Sequence, residues 1–290
     1  MNSGAKILDG KALAQKLKDD LKKEVERLKK DFGAVPRLVN IMVSADPGAI
    51  SYANSQKKTA EYIGLKYELQ NFPADITQPK LSDVIKKLNA DTSVHGIMAY
   101  KPLPKHIDFK AIANAIAPAK DLEGINATNM GKMVLGEAHI VPCTPGAVME
   151  HIRATGVSLR GKEAVVVGRS EIVGKPLVLL LLAQNATVTV CHSATGTEKL
   201  SEHVGRADIL VVAVGKAAFI KGEWVKRGSI VIDVGINKVG ERIVGDVAFE
   251  TASQRASFIT PVPGGVGPLT VIMLMRNGIE AFKIQQEAKK

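Results

Sequence analysis

Apolar residues recur three or four positions apart between residues 11 and 30. Leu13, Leu17, Leu21, Val25 and Leu28 form the series, with Lys, Asp, Glu and Arg between them. This one-sided stripe predicts an amphipathic helix. The period then shortens. "RLVNIMVS" (37–44) predicts a buried strand, and residues 50–63 predict a helix ended by Gly64. "YELQNF" predicts a second strand. Leu81, Val84, Ile85 and Leu88 place a helix after it, and "VHGIMAY" (94–100) predicts a third strand. Strands that alternate with helices imply parallel βαβ units.

A second series follows "VPCTPGAV". It predicts a helix over 146–156, the strand "EAVVVG" (163–168), a glycine-containing turn, a helix near 175–184 and the strand "TVTVCH" (187–192). "DILVVAVG" (208–215) and "SIVIDVG" (229–235) are two more apolar runs, suited to a sheet covered on both faces. The chain therefore reads as an α/β protein of two domains, divided near 141–146. A last helix is predicted over 270–286, and the pattern alone does not say which domain it joins.

Composition narrows the class. With 46% hydrophobic and 23% charged residues, the 290-residue chain has ample core for a globular protein. The longest aliphatic run, "PLVLLLLA", is far short of the roughly 20 residues that span a bilayer. The start, "MNSGAKILDGKALA", has no apolar signal core, which leads us to expect the cytoplasm and no membrane partner. Cys143 and Cys191 have no paired spacing and read as reduced thiols. The six histidines form no ligand motif, so no metal is expected. A net charge of +10 would suit nucleic acid, but the lysines are spread along amphipathic helices and aromatics are only 4%. The charge instead reads as solvated helix faces that also attract a small anion.

"VVVGRSEIVGKP" (165–176) joins a strand to a helix through Gly168 and Gly174. It is not G-x-G-x-x-G, and alone it could be any βα turn. Its place, at a strand's carboxyl end and a helix N-terminus, is where phosphate binds. The next strand of an NAD site usually ends in an Asp or Glu that holds the ribose. Here it ends in "VCHSAT". Arg169 and Ser193 offer a cation and a hydroxyl donor, which suit a 2′-phosphate and favour NADP.

Several stretches coincide in order and spacing: "ILDGKALA", "HGIMAYKPLPKHID", "KDLEGINATNMGK", "PCTPGAV", "GRSEIVGKP", "CHSAT" and "TPVPGGVGPLT". Together they resemble the methylenetetrahydrofolate dehydrogenase/cyclohydrolases over nearly the whole chain. The resemblance implies a folate and catalytic domain made of 1–143 plus 270–290, and a Rossmann-like NADP domain over 144–269. It implies a homodimer, with a tetrahydrofolate derivative as substrate. The cofactor residues it implies are Gly168, Arg169, Ser170, Gly174, Pro176, Ser193, Gly215, Ile236 and Thr270. The substrate residues are Tyr52, Asp121, Glu123, Pro263, Gly264 and Gly265. Asp121 resembles a residue that fixes its loop.

Three positions depart from the family pattern, and all map to the folate site. The family's Tyr-x-x-x-Lys supplies an acid/base lysine, whereas here Tyr52 is followed by Gln56. The spacing from Tyr52 to Gly64 leaves no gap that would promote Lys57. The expected glutamine is Tyr100, and the expected aspartate is Glu123. Tyr52, Gln56 and Tyr100 thus stand at the catalytic positions. The family oxidises 5,10-methylenetetrahydrofolate and then hydrolyses the methenyl product. Oxidation removes a hydride and needs mainly positioning, whereas hydrolysis needs general acid/base catalysis. A glutamine amide forms hydrogen bonds but does not titrate near neutral pH. Dehydrogenation is therefore expected to survive and hydrolysis to be weak or absent. The alternatives are a paralogue acting on a modified folate or in a dedicated one-carbon pathway, and a non-catalytic folate- or nucleotide-binding protein.

Overall fold

The computed structural model describes residues 4–44 and 46–289. The first half runs β1 (Lys6–Ile7), α1 (Gly10–Phe32), β2 (Arg37–Val43), α2 (Pro47–Ile63), β3 (Lys66–Phe72), α3 (Gln78–Ala90), β4 (Gly96–Ala99), α4 (Phe109–Ala115) and α5 (Ala127–Leu135). It continues with α6 (Cys143–Ala154), β5 (Glu163–Val167), α7 (Gly174–Ala183), β6 (Thr187–Cys191), α8 (Thr197–Arg206), β7 (Ile209–Val212) and β8 (Ile230–Asp233). The last elements are β9 (Asn237–Val239), β10 (Arg242–Val244), α9 (Phe249–Ala252), β11 (Phe258–Ile259) and α10 (Val266–Glu287).

The described residues form two compact units, one within 15–143 with 271–289, the other of 4–14 with 144–270. In the first, β2 pairs in parallel with β3 on one side and β4 on the other. Val39, Ile41 and Ile97 of this sheet pack on Leu81 and Ile85 of α3 and Ile112 of α4. The C-terminal stretch of α10 is tied to this unit by Asn277, which donates to the carbonyls of Leu122 (2.9 Å) and Val141 (2.8 Å).

In the second unit six parallel strands run in the order β1-β11-β8-β7-β5-β6, an open doubly wound sheet. Its core gathers Val165, Val167, Leu210, Val212, Val231 and Ile259 with Val204 of α8. The sequence reading placed residues 1–14 with the folate domain. The described part, 4–14, belongs to the other unit, because β1 pairs with β11 (Lys6↔Phe258, Ile7↔Ile259). A two-residue strand carries no periodic signal, so this pairing left no trace in the pattern.

Helix starts differ for a local reason. α2 opens at Pro47, three residues before the predicted start, because the Asp46 carboxylate accepts the Ala49 N–H and caps it. It stops at Gly64, where the reading expected its end, and the φ of 88° there makes a left-handed cap. α10 opens at Val266 rather than 270.

Candidate functional site

In the unit of 15–143 with 271–289, one face of α2 carries Tyr52 and Gln56, and Gln56 is fully buried. Its amide oxygen is the centre of a polar cluster. Tyr100 Oη donates to Gln56 Oε1 at 2.5 Å, and Asn40 Nδ2 donates to the same oxygen at 2.6 Å. The Tyr67 and Tyr100 hydroxyls share a hydrogen bond of 2.9 Å. Gln56 Nε2 donates to the weak acceptor Met98 Sδ, at 3.7 Å. Tyr52 meets the Tyr100 ring edge-to-face, centroids 6.2 Å apart. The structure thus brings Tyr52, Gln56 and Tyr100 together.

Lysine does not re-enter from the next position. Lys57 is 60% exposed and faces Glu61 at 4.0 Å, and Lys58 is exposed too. Burial pushes the Tyr100 phenol far above its ordinary pKa, and the bond to Tyr67 adds to this. Burial also raises Tyr67. The cluster is therefore neutral throughout the neutral range.

Asn40 and Tyr67 escaped the sequence reading. Asn40 sits opposite Met98 across the β2–β4 pair and is fully buried, and its Oδ1 has no donor among the described residues. The available signal was an asparagine inside an apolar strand, where a buried amide needs partners.

Downstream of β4 lies the loop of Asp121 and Glu123. Asp121 is buried, and its carboxylate collects the N–H groups of Glu123 (3.1 Å), Gly124 (3.0 Å) and Asn126 (2.8 Å) and the Asn129 amide (3.1 Å). Gly124 is required there: φ is 68°, and a Cβ would come within 2.4 Å of the Val141 backbone. Burial raises the Glu123 carboxyl to about 7, the Asp121 charge adds to the rise, and Lys101 opposes it. The Cys143 thiol donates to the Leu122 carbonyl (3.4 Å) and is pushed well up by burial and by the charges of Glu123 and Asp121. Its environment disfavours the thiolate.

In the other unit the turn after β5 is shaped for close backbone approach. Gly168 has φ 133°, and a Cβ there would lie 2.4 Å from the Ala213 carbonyl oxygen. A Cβ on Gly174 would lie 2.3 Å from the Gly168 carbonyl oxygen. Ser170 Oγ accepts the N–H groups of Val173 (3.2 Å) and Gly174 (3.4 Å) as α7 begins, with Pro176 buried in its first turn. Arg169 and Ser193 are exposed, and no carboxylate stands in 191–195. Gly215 (φ 66°) and Ile236 (69% exposed) follow β7 and β8 at the carboxyl ends of the strands. A phosphate fits this cradle of bare backbone at a helix N-terminus, with an arginine beside it.

The proline-glycine loop lies in this same unit. Pro263 is exposed, Gly264 has φ 102°, and a Cβ on Gly265 would lie 2.5 Å from the Pro261 carbonyl oxygen. Thr270 Oγ1 donates to the Gly267 carbonyl at 2.7 Å. Among the described residues no group of three His, Cys, Asp or Glu is placed to hold a metal ion, and no helix is long and apolar enough to cross a membrane.

An open parallel sheet with a phosphate-shaped turn at a strand's carboxyl end defines a nucleotide-binding α/β protein, here joined to a second α/β unit with a buried polar cluster. Comparison with known proteins names the family. Residues 142–286 match the NAD(P)-binding domain, and 8–123 the catalytic domain, of tetrahydrofolate dehydrogenase/cyclohydrolase. The chain is 51% identical over 286 residues to the bifunctional protein FolD of Acetivibrio thermocellus, covering 98% of this chain and 99% of that one. It is 50% identical over 280 residues to the FolD of Bacillus pumilus, covering 96% and 98%. Among solved structures, the FolD of Campylobacter jejuni superposes with TM-score 0.92 at 42% identity, covering 97% and 99%. The Trypanosoma brucei enzyme, complexed with NADP cofactor and inhibitor, gives TM-score 0.92 at 39% identity, covering 99% and 100%. The chain belongs to the tetrahydrofolate dehydrogenase/cyclohydrolase family.

Proposed function

We propose that this protein is an NADP-dependent 5,10-methylenetetrahydrofolate dehydrogenase whose methenyltetrahydrofolate cyclohydrolase activity is weak or absent. One observation carries the reading. The position that resembles the family's acid/base lysine is a buried glutamine, and its carbonyl already accepts from Asn40 and Tyr100. Neither the amide nor the two raised phenols exchange a proton near neutral pH, so water activation and proton delivery lose their agent.

Hydride transfer makes no such demand. NADP supplies the hydride acceptor when bound, and the protein's part is to hold the reacting carbon in place. Tyr52 offers a ring face for the pterin, and Glu123 a carboxylate for paired N–H groups. The N–H donors of a bound pyrimidine edge would favour the charged form of Glu123 and draw down its raised pKa. Arg169 and Ser193 face the 2′-phosphate in this reading, and Gly168, Ser170 and Gly174 leave room for the pyrophosphate at the start of α7.

β6 is an edge strand with Val190 exposed, and Leu182 of α7 is exposed as well. A second copy pairing along that edge would give the expected homodimer, which a molar mass in solution of one chain would refute. Both cysteines are free, as suits the cytoplasm.

The test follows NADPH and methenyltetrahydrofolate separately in one reaction. NADPH should form while the methenyl product accumulates. Disappearance of the methenyl product as fast as NADPH appears would refute the loss of hydrolysis. No NADPH with any folate would refute the dehydrogenase. Glu123→Ala should abolish folate binding and spare NADP binding, and unchanged folate affinity would show that the residue serves otherwise.

A further inference from the structure

The loop after β7 and the segment after β8 share one anchor, a carboxylate that no part of the reading above uses. Asp246, just beyond β10, is fully buried. Its Oδ2 accepts the N–H groups of Val214 (2.6 Å) and Gly215 (2.9 Å), and its Oδ1 accepts the Lys216 N–H (2.8 Å) and the Asn237 side-chain amide (2.8 Å). Three successive backbone amides turned onto one anion form a nest, and here the chain's own carboxylate fills it.

The packing around that carboxylate leaves no slack. A Cβ on Gly235 would lie 2.2 Å from Asp246 Cγ. A second buried carboxylate, Asp233 at the end of β8, accepts the N–H groups of Gly235 (2.9 Å), Asp246 (2.9 Å) and Val247 (2.8 Å), so it holds Asp246 in turn. The chain of contact continues to the phosphate turn. Ala213, immediately before the nest, donates its N–H to the Val167 carbonyl at 2.8 Å, and its own carbonyl oxygen is the atom that a Cβ on Gly168 would strike.

We propose that Asp246 is a positioning residue for the nucleotide: by gathering the amides of residues 214–216 and the Asn237 side chain, it fixes the surface bearing Gly215 and Ile236 and, through Ala213, the seat of the Gly168 turn. This rests on the reading of the unit as the NADP site. It adds a residue that does not face the nucleotide in that reading, and whose effect reaches it through backbone.

Asp208 provides the contrast within the same unit. Its carboxylate accepts the Glu163 N–H (3.0 Å) and pairs with Lys226 (2.6 Å) at the amino ends of the same strands, away from the nucleotide edge. It serves as the control for a carboxylate that supports only the fold.

The experiment titrates NADP calorimetrically into the full-length wild type, Asp246→Asn, Asn237→Ala and Asp208→Asn, with Tm and steady-state constants for each. Asp246→Asn turns an amide NH2 toward two of the four donors, and the Kd for NADP should rise by about tenfold or more, with kcat at saturating NADP little changed. Asn237→Ala, which removes one of the four bonds and leaves the carboxylate, should raise Kd by about threefold. Asp208→Asn should lower Tm and leave Kd within about twofold of wild type. A folded Asp246→Asn with wild-type Kd overturns the proposal. So does an unchanged Asn237→Ala, the decisive variant if Asp246→Asn does not fold. Asp208→Asn weakening NADP as much as Asp246→Asn at equal loss of Tm would reduce Asp246 to a structural role. A wild type that binds no NADP would overturn the nucleotide reading itself and this proposal with it.

Discussion

The glycine-lined turn at Gly168 and the amide-lined cluster at Gln56 are built for different tasks in the proposed reading. Around Gly168 the turn has the shape that the nucleotide reading requires: a strand end, two glycines with no room for a Cβ, a serine that accepts the N–H groups of Val173 and Gly174, and an arginine between the glycines. Around Gln56 a buried amide stands where the resemblance leads us to expect an ammonium, and the Tyr100 phenol bonds to it. Gln56 and Tyr100 are bonded to each other, so in the proposed reading the two positions act as one unit. If the proposed function holds, the difference separates the two family reactions: hydride transfer asks the protein mainly to bind and hold, whereas hydrolysis asks for a titrating side chain.

The sharpest way to break that comparison is to damage the glycine-lined turn. Gly168→Ala forces a Cβ to 2.4 Å from the Ala213 carbonyl at a left-handed φ. NADP affinity should fall by on the order of 100-fold, about 3 kcal/mol, and calorimetry against wild type checks it. Arg169→Ala probes the charge rather than the shape. NADP should weaken by roughly 10- to 30-fold while NAD changes little, and equal weakening of both would end the 2′-phosphate assignment.

Glu123 sharpens the other side. Its folded carboxyl is raised to about 7 from the ordinary 4.5, so the folded chain holds the proton that the unfolded chain gives up. Stability without ligand therefore falls as pH rises from about 4.5 through about 7 and stays at the lower level above that. Glu123→Gln removes this loss. It should stabilise the protein at pH 8 by on the order of 2 kcal/mol and leave it nearly unchanged at pH 4, by denaturant unfolding. The smallest effect belongs to Tyr67→Phe. Loss of the 2.9 Å hydroxyl bond to Tyr100 should cost about 1 kcal/mol of stability with the dehydrogenase rate kept.

The same division governs what was legible beforehand. Elements with a sustained period were readable: α1, α3, β2, β5 and β7 fall where the apolar pattern put them, and Gly64 marked its helix end. α8 was not readable, because only Leu200 and Val204 of its ten residues are buried, too few to trace a stripe. β1 and β11 owe their existence to each other and to β8, and such a partnership is invisible in two residues. The positions of Gln56, Tyr100 and Glu123 stood out in the sequence because the resemblance named them, and the structure brings Gln56 and Tyr100 together. Their bonding to Asn40 and Tyr67 was not legible, since only the tertiary packing of α2, β2 and the end of β4 brings residue 40 beside residues 56 and 100. Asp246 likewise reads as an ordinary turn aspartate until three amides are seen converging on it.

The central claim is that the Gln56–Tyr100 pair silences hydrolysis as a unit. The measurement is the cyclohydrolase rate constant of wild type, Gln56→Lys, Tyr100→Gln and the double variant, with dehydrogenase followed in parallel. The ammonium brought by Gln56→Lys would find the unpaired Asn40 oxygen, but Tyr100 still fills the place where the family has its glutamine. We expect little gain from either single change. The double change should gain on the order of 10²-fold or more, well beyond the product of the singles, with dehydrogenase altered far less. Wild-type hydrolysis already at the rate of the double variant, or a double variant no faster than wild type, would contradict the account.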